Sequence, residues 1–486
     1  MGSEMGRLYE IPILSRGRVI PPTDDDCVEF SGRAGARFRC PDPHKHIHDL
    51  VLGDAGRLQD LHDLPIAKVM DFLAALGPRL KLADNPYLQE SYDLALEAGG
   101  LTKPLMTRLY DSLPAMFDRA RLEARIEATI GSRYLDSWVP QGTEGPASTV
   151  RIRAVGSRQL HITAGNVPIV APQTVISGAL TKSDILIKTP SNDPLTATAV
   201  VRTMIDMDPD HPVTRHFAVA YWKGGDSVMD AEVIRPSRID KITAWGGMAS
   251  MQHVQKHLKP GIDLVSANPK FSLSLVGHEA LESDEAMQEA AMGVAIAAGR
   301  FNQTACASTR VVYVESGTDE ESLAKLIRFG ELVYEGFQSL PPHFSTPADE
   351  PNPSLEAEMR AIEMEDDFYW VKGDTVKGGV IVSRFEGRVD FAGELNNRVV
   401  NIVPLEDLTS MLGTIDDQAQ TIGVYPTALR LRLRDQLAIR GAQRMLPLSS
   451  QLIDAVEGGA VPAAPHDGNE TLRRMVRWMI DQGPAA

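Results

Sequence analysis

The chain has 486 residues, enough for two or three domains with a large core, and its 43% hydrophobic and 23% charged residues are ordinary for a globular protein. Lys and Arg number 49 against 65 Asp and Glu, a formal charge of −16, which argues against non-specific nucleic-acid binding. No apolar run is long enough to cross a bilayer, and the start lacks the basic-then-apolar pattern of a signal peptide. The three cysteines, Cys27, Cys40 and Cys306, stand far apart without CxxC spacing. Neither a disulfide framework nor a zinc site is expected, and a reducing cytoplasm suits the composition.

Residues 1 to about 50 read as irregular, with Pro21-Pro22, Asp24-Asp25-Asp26 and Pro41-Asp42-Pro43. His44, His46 and His48 alternate, but no carboxylate or thiolate cluster has a ligand spacing with them, so a solvated loop or edge strand is expected and no metal. Leu58 to Ile130 has helical patterning, with an entry at Asp63-Leu64-Pro65 and a stop at Gly77-Pro78. Tyr134 to Val139 and Ser148 to Val155 read as two extended segments around a polar loop.

Strands and helices then alternate. Leu160 to Ala164 is a strand followed by Gly165-Asn166-Val167-Pro168, and a helix from Val170 to Leu180 leads into the apolar strand Asp184 to Lys188. Pro194 to Met204 is helical, Phe217 to Trp222 extended, and Lys241 to Trp245 ends at Gly246-Gly247 before a helix over Met248 to His257. Buried strands alternating with helices predict a parallel, doubly wound sheet, which binds ligands at its strand C-termini. Gly246-Gly247 stands where a phosphate meets a helix N-terminus, although a pair of glycines at a strand end is often only a turn. A second αβ region runs from Phe271 to Pro404, with a polar surface excursion around Pro341 to Pro353. The tail carries Pro465-His466-Asp467-Gly468 and an amphipathic helix from Leu472 to Ile480.

Within that second region lies Gly299-Arg300-Phe301-Asn302-Gln303-Thr304-Ala305-Cys306-Ala307-Ser308-Thr309-Arg310, ahead of the β-branched run from Val311. Ala286 to Arg300 reads as a helix, so Cys306 falls in a tight connection between helix and strand. Small neighbours give a substrate carbonyl access to the sulfur, and backbone N–H groups there help hold an oxyanion. The residues alone leave two readings: a nucleophile, or a buried structural cysteine.

The order of motifs resembles the aldehyde dehydrogenase superfamily and, within it, the LuxC-type acyl-CoA reductases. Ile162 to Pro168 is similar to the superfamily's W-N-F-P region, which implies that Asn166 donates to the oxyanion and that Ile162 and Thr163 meet the cofactor. Ile187-Lys188-Thr189-Pro190-Ser191 resembles K-P-S-E, implying Lys188 and Ser191 at the adenosine ribose. Gly246 and Gly247 occupy the F-T-G-S position at the pyrophosphate, Phe301-Asn302-Gln303 with Cys306 the nucleophile motif, and Glu394 the place of the glutamate on the nicotinamide ribose. The narrower resemblance rests on Tyr134 to Val139, Cys306 to Val314, Gln420-Thr421-Ile422-Gly423-Val424, and Pro465 to Gly468 before Trp478. Two departures stand out. The glutamate of the oxidising members falls near Ser266, and Asn396-Asn397-Arg398 replaces Phe-Gly-Pro after Glu394.

The resemblance implies an α/β fold with a Rossmann-type cofactor domain, an α/β catalytic domain and a small extended oligomerisation element. Residues 1–125 form an irregular and helical N-terminal region, and 126–268 the dinucleotide-binding domain with bridging segments near 134–155. Residues 269–440 form the catalytic domain and 441–486 a C-terminal segment. The implied reaction is reduction of an acyl thioester, acyl-CoA or acyl-protein, to an aldehyde through a Cys306 acyl-enzyme. NADPH is expected, with NADH possible, because Ser191 stands where NAD-specific members carry a glutamate. A homo-oligomer and an acyl-protein synthetase partner are further implications. Lys270 and His278 are candidates for activating Cys306, while His161 reads as structural. The rivals are an aldehyde dehydrogenase that forms acids and a catalytically silent acyl-carrier or scaffold subunit.

Overall fold

The alternation of apolar strands with helices is realised twice. The computed structural model describes residues 7–32, 35–141, 149–267, 269–448, 465 and 468–483. The chain divides into one unit of Met1–Gly99, Met106–Asn268 and Val461–Ala486, and a second of Gly100–Leu105 and Pro269–Ala460.

In the first unit, β1 (Leu8–Glu10), β4 (Val28–Ser31) and β5 (Arg37–Cys40) form a small sheet. The large sheet has the order β12-β11-β8-β9-β10-β2-β3, from β2 (Ile13–Ser15), β3 (Arg18–Ile20), β8 (Arg158–Ile162), β9 (Asp184–Lys188), β10 (Phe217–Ala220), β11 (Lys241–Trp245) and β12 (Asp263–Ala267). Every residue of β9 and β10 is buried, as expected of strands covered on both faces. The chain runs from β8 outward to β9 and β10, then returns to the other side of β8 as β11 and β12. Open sheets of this kind bind ligands at such a reversal, which here falls at the C-terminal ends of β8 and β11.

Two stretches of this unit differ from the sequence reading. The described residues of the first fifty carry five short strands where an irregular course was expected. The β2–β3 hairpin extends the large sheet because Arg16 and Gly17 turn left-handed, φ 53° and 82°, which suits a two-residue turn. A Cβ at Gly17 would lie 2.2 Å from the Pro209 carbonyl oxygen, so only glycine fits. The first half of Tyr134 to Val139 belongs to the short helix Ser132–Asp136, and β6 (Val139–Gln141) starts at its last residue. Asp136 ends that helix by accepting from the buried Lys182 ammonium at 2.7 Å and from the Ile66 N–H at 2.9 Å. Local alternation over six residues carries less weight than those tertiary partners.

The tail also belongs to this unit and also differs. Only Thr471–Met475 is helical, and β20 (Arg477–Gly483) follows it. β20 pairs antiparallel along all of β7 (Thr149–Val155), making a third sheet of order β20-β7-β6. Nine residues of helical pattern cannot outweigh a full ladder of backbone bonds on an open strand edge. His466 and Asp467 lie outside the described residues. His44 and His46 turn to carboxylates, Asp226 at 2.9 Å and Asp26 at 2.7 Å.

The second unit is a seven-stranded sheet of order β15-β16-β17-β14-β13-β18-β19. Its strands are β13 (Phe271–Val276), β14 (Thr309–Glu315), β15 (Tyr369–Asp374), β16 (Gly378–Ser383), β17 (Val399–Leu405), β18 (Ala419–Tyr425) and β19 (Arg444–Pro447). All pairs are parallel except β15 with β16. One face packs Val312, Val314 and Ile402 against the helices Asp284–Gly299 and Glu320–Ser339. The other packs Leu273, Val311 and Val403 against residues of Pro353–Glu363 and Thr427–Ile439. Among the described residues of the chain no helix is long and apolar enough to cross a membrane.

Candidate active site

In the second unit the helix Asp284–Gly299 ends at a glycine, and the backbone turns left-handed at Phe301, Asn302 and Gln303, with φ of 50°, 51° and 65°. Three non-glycine residues in that region cost about 1 kcal/mol each or more, so the surroundings must hold them. Asn302 Oδ1 accepts from the Thr346 N–H at 2.9 Å and the Ser345 hydroxyl at 3.2 Å. The fully buried Gln303 donates to the carbonyls of Thr309 at 2.7 Å and Val399 at 2.9 Å, and accepts from the Val399 N–H at 3.0 Å. Segment 341–353 is thus more than a surface excursion. Phe344 and Ser345 are buried, and Phe301 N–H bonds the Phe344 carbonyl. Polar composition hid this, because the anchoring groups are mostly backbone.

The clamped turn leaves Cys306 exposed. A buried structural cysteine is one of the two readings of the sequence, and this position does not match it. Cys40 is such a cysteine, and burial pushes its thiol up to about 12. The Cys306 carbonyl accepts from the Ser272 hydroxyl at 2.7 Å, and Gln420 Nε2 donates to Sγ at 3.2 Å. Arg310, on β14, lies close enough that the Cys306 charge raises its pKa, against a larger lowering by burial. Its Nε donates to the Leu395 carbonyl at 3.0 Å, and its buried Nη1 has no hydrogen-bond partner among the described residues. Sequence reasoning gave Arg310 no role, and quoted Gln420 only as part of a family stretch.

The two proposed activators have other partners. Lys270 Nζ donates to the Asp417 carbonyl at 2.6 Å. His278 follows the C-terminal end of β13, whereas Cys306 precedes the N-terminal end of the parallel β14, about 20 Å away at strand rise. There His278 contacts Glu315 at 3.2 Å, Glu282 at 3.5 Å and Glu279 at 3.7 Å, and these groups raise its pKa. Glu394 is exposed in the short turn Ala392–Glu394, next to the Leu395 carbonyl that Arg310 holds.

In the first unit the candidate cofactor residues gather at the C-terminal ends of β8, β9 and β11. Ile162 ends β8, and the Thr163 N–H and hydroxyl both bond the Lys188 carbonyl at 3.2 Å. Asn166 is exposed in the loop that follows, which Asn192 ties down through the Gly165 carbonyl at 2.9 Å. Gly246 and Gly247 join β11 to the helix Met248–His257, and a Cβ at Gly247 would meet nothing within 4 Å. This is an open cradle of backbone N–H groups at a helix start, suited to a phosphate. Lys188 Nζ lies 5.2 Å from the Trp222 ring centroid, forms no ion pair among the described residues, and has its pKa lowered by burial. Asp230 and Asp226 act on it in the opposite direction to burial. Ser191 is exposed on the adjoining turn. His161 is fully buried on β8, contacts Gln159 Oε1 at 3.0 Å and is held neutral by burial, its pKa lowered to about 3.

Known proteins resemble the chain over almost its whole length. The chain is 28% identical over 481 residues to the long-chain acyl-protein thioester reductase of Vibrio harveyi, covering 98% of this chain and 93% of that one. It is 27% identical to the enzyme of the same name from Photorhabdus luminescens, over 98% and 94% of the two chains. Among solved structures, lactaldehyde dehydrogenase from Escherichia coli superposes with a TM-score of 0.71 over 98% of this chain and 99% of that one, at 12% identity. The NADP-dependent glyceraldehyde-3-phosphate dehydrogenase of Bacillus halodurans C-125, complexed with NADP, does so with 0.71 over 98% and 100%, at 13% identity. These show the aldehyde dehydrogenase fold. The acyl-CoA reductase (LuxC) family profile matches residues 61–478. With most of its length matched and an exposed cysteine on a clamped turn, the chain belongs to the acyl-CoA reductase (LuxC) family, oxidoreductases that convert an acyl thioester to an aldehyde.

Proposed function

We propose that the chain reduces long-chain acyl thioesters, protein-bound or CoA-linked, to aldehydes with NADPH, and that Cys306 carries the acyl group between the two half-reactions. The observation that carries this reading is the exposure of Cys306 on a turn held by Asn302 and Gln303. The Cys306 thiolate adds to the thioester carbonyl, and the donor thiol leaves, so one difficult step becomes two easier ones. A bound nicotinamide supplies hydride to the acyl carbon. Collapse of the tetrahedral species expels the Cys306 sulfur and frees the aldehyde. Asn166 is the family's counterpart of the oxyanion donor, and losing one such donor typically costs about 100- to 1,000-fold in rate. Gly246, Gly247, Lys188, Ser191, Ile162, Thr163 and Glu394 are the residues assigned to the cofactor. The neutral Ser191 does not repel a 2′-phosphate, and Lys188 offers it a cation.

The remaining proposals rest on the same resemblance. Residues 126–268 bind the dinucleotide and 269–440 hold the acyl group, between an N-terminal region of 1–125 and a C-terminal segment of 441–486. An acyl-protein synthetase delivers the substrate, and the enzyme works in the cytoplasm as a homo-oligomer. The β20-β7-β6 sheet is the assembly element; Trp138 is 40% and Ile480 64% exposed on and beside it. The test is labelling. Radiolabelled acyl-CoA should leave a hydroxylamine-sensitive label on the wild type and none on Cys306→Ala. Label that persists in the variant, or maps to Cys27 or Cys40, defeats the reading.

A further inference from the structure

β13 is paired irregularly on both sides at one level. Towards β14, Ser272 faces Thr309 but Leu273 faces Val311, so β14 holds an extra residue, Arg310. Towards β18, Phe271 faces Ala419 but Leu273 faces Ile422, so Gln420 and Thr421 together stand against Ser272. Bulges are uncommon between parallel strands, and beside active sites they re-aim side chains. Ser272 links the two irregularities. Its hydroxyl donates to the Cys306 carbonyl at 2.7 Å and accepts the Thr421 N–H at 3.2 Å. The extra residue of β18 therefore does two things at once: it anchors Cys306 through Ser272, and it brings Gln420 Nε2 to 3.2 Å from Sγ.

We propose that Gln420 is a catalytic residue whose amide N–H holds the Cys306 sulfur as a thiolate and receives it again when it leaves. This rests on Cys306 being the nucleophile. A side-chain amide donates without taking up a proton, so it favours negative sulfur at the start and at the end. On attack, the sulfur lone pair forms the new C–S bond, and the donor thiolate departs with the electrons of the old one. On collapse, the oxyanion reforms the carbonyl, and the C–S electrons return to Cys306 beside the same N–H. In the acyl-enzyme between, the sulfur is uncharged and a poor acceptor. The bond therefore lowers the barriers that bracket the acyl-enzyme more than it stabilises the intermediate itself.

Charged groups stand on the surrounding elements, among them Arg388 over the Phe271 ring and Asp416 and Asp417 just ahead of β18. Arg310 of β14 is in electrostatic reach of the sulfur. Arg300 is turned onto the Phe301 ring, Lys270 onto the Asp417 carbonyl, and Arg444 is exposed on β19. Substitution of Gln420 leaves all of these charges in place.

The test measures alkylation of Cys306 by iodoacetamide across the titration range of a thiol, on the full chain without substrate. Mass spectrometry of the Cys306 peptide keeps Cys27 and Cys40 out of the reading. A hydrogen bond to a charged group predicts that Gln420→Leu slows alkylation about tenfold at neutral pH and moves the rate–pH midpoint up by about one unit. Gln420→Glu, of the same size, should slow it further by placing a carboxylate against the thiolate. Wild-type profiles in both variants overturn the proposal. If Gln420→Leu does not fold, a wild-type profile in Gln420→Glu alone overturns it. Acyl label that persists on Cys306→Ala would instead overturn the nucleophile reading, whatever the alkylation shows.

Discussion

Replacing Gln303 with Leu should weaken the second unit more than almost any other single change at the nucleophile loop. The side chain is fully buried and makes three hydrogen bonds, to the Thr309 carbonyl, the Val399 carbonyl and the Val399 N–H. Thr309 is 2% exposed and Val399 not at all, so neither finds water when the amide is gone. An orphaned buried polar group costs about 1–3 kcal/mol. Because the three groups share one partner their costs are not independent, and a total of about 3–5 kcal/mol follows. Leucine fits the volume and bears the same left-handed strain as glutamine, so no other contribution of that size arises. At roughly 3 kcal/mol per molar urea, the unfolding midpoint of this unit should fall by about 1–2 M. Hydrogen exchange of peptides from 269–460 at increasing urea measures that midpoint, and the peptide holding Val399 should lose protection first. A midpoint lowered by less than about 0.3 M, with Val399 still protected, would show that Gln303 does not hold the loop.

The remaining expectations address cofactor, direction and pH. Wild-type enzyme should use NADPH at least as well as NADH, with Ser191→Glu and Lys188→Met each shifting the kcat/KM ratio towards NADH; a wild type that ignores NADPH refutes the ribose-pocket reading. Incubation with aldehyde and NADP+ without CoA should yield little free acid. The stretch aligned with the oxidising members' glutamate offers Ser266, while Glu279 and Glu282 are engaged with His278 at the far end of β13. Without a general base, hydrolysis should run about 100- to 10,000-fold below acyl transfer, and rapid acid formation would promote the oxidising dehydrogenase. His216 tests the first unit. Burial lowers its pKa, but hydrogen bonds to Asp184 at 2.9 Å and Asp60 at 2.8 Å outweigh it, and the net shift is upward. A raised folded pKa gives stability that is full below the unfolded value, about 6.5, and is lost as pH rises through the folded one. His216→Gln should therefore cost more stability in mildly acidic than in alkaline buffer, and an equal loss in both would refute the charged pairing.

Much of the scaffold was legible locally. Lys241 to Trp245 and Asp184 to Lys188 are the observed strands to the residue, and Val170 to Leu180 and Met248 to His257 the observed helices. Runs of β-branched and aliphatic residues buried on both faces have few alternatives, so composition decides them. The same locality explains why the join at Gly246 and Gly247 was legible: a strand end, two glycines and a helix start are consecutive. The misses share one cause. Tyr134 to Val139, Leu472 to Ile480 and the first fifty residues are short or polar, and distant partners decide their state: Lys182, the edge of β7 and the edge of β10. The surroundings of Cys306 divide in the same way. The cysteine, its small neighbours and the following strand are contiguous and could be read off. Its exposure, the hold of Thr346 and Val399 on the turn, and the approach of Gln420 come from residues 40 to 114 positions away. A hydrogen bond across that separation leaves no period in the chain. Only the order of strands in the sheet, and one extra residue in β18, bring the amide to the sulfur.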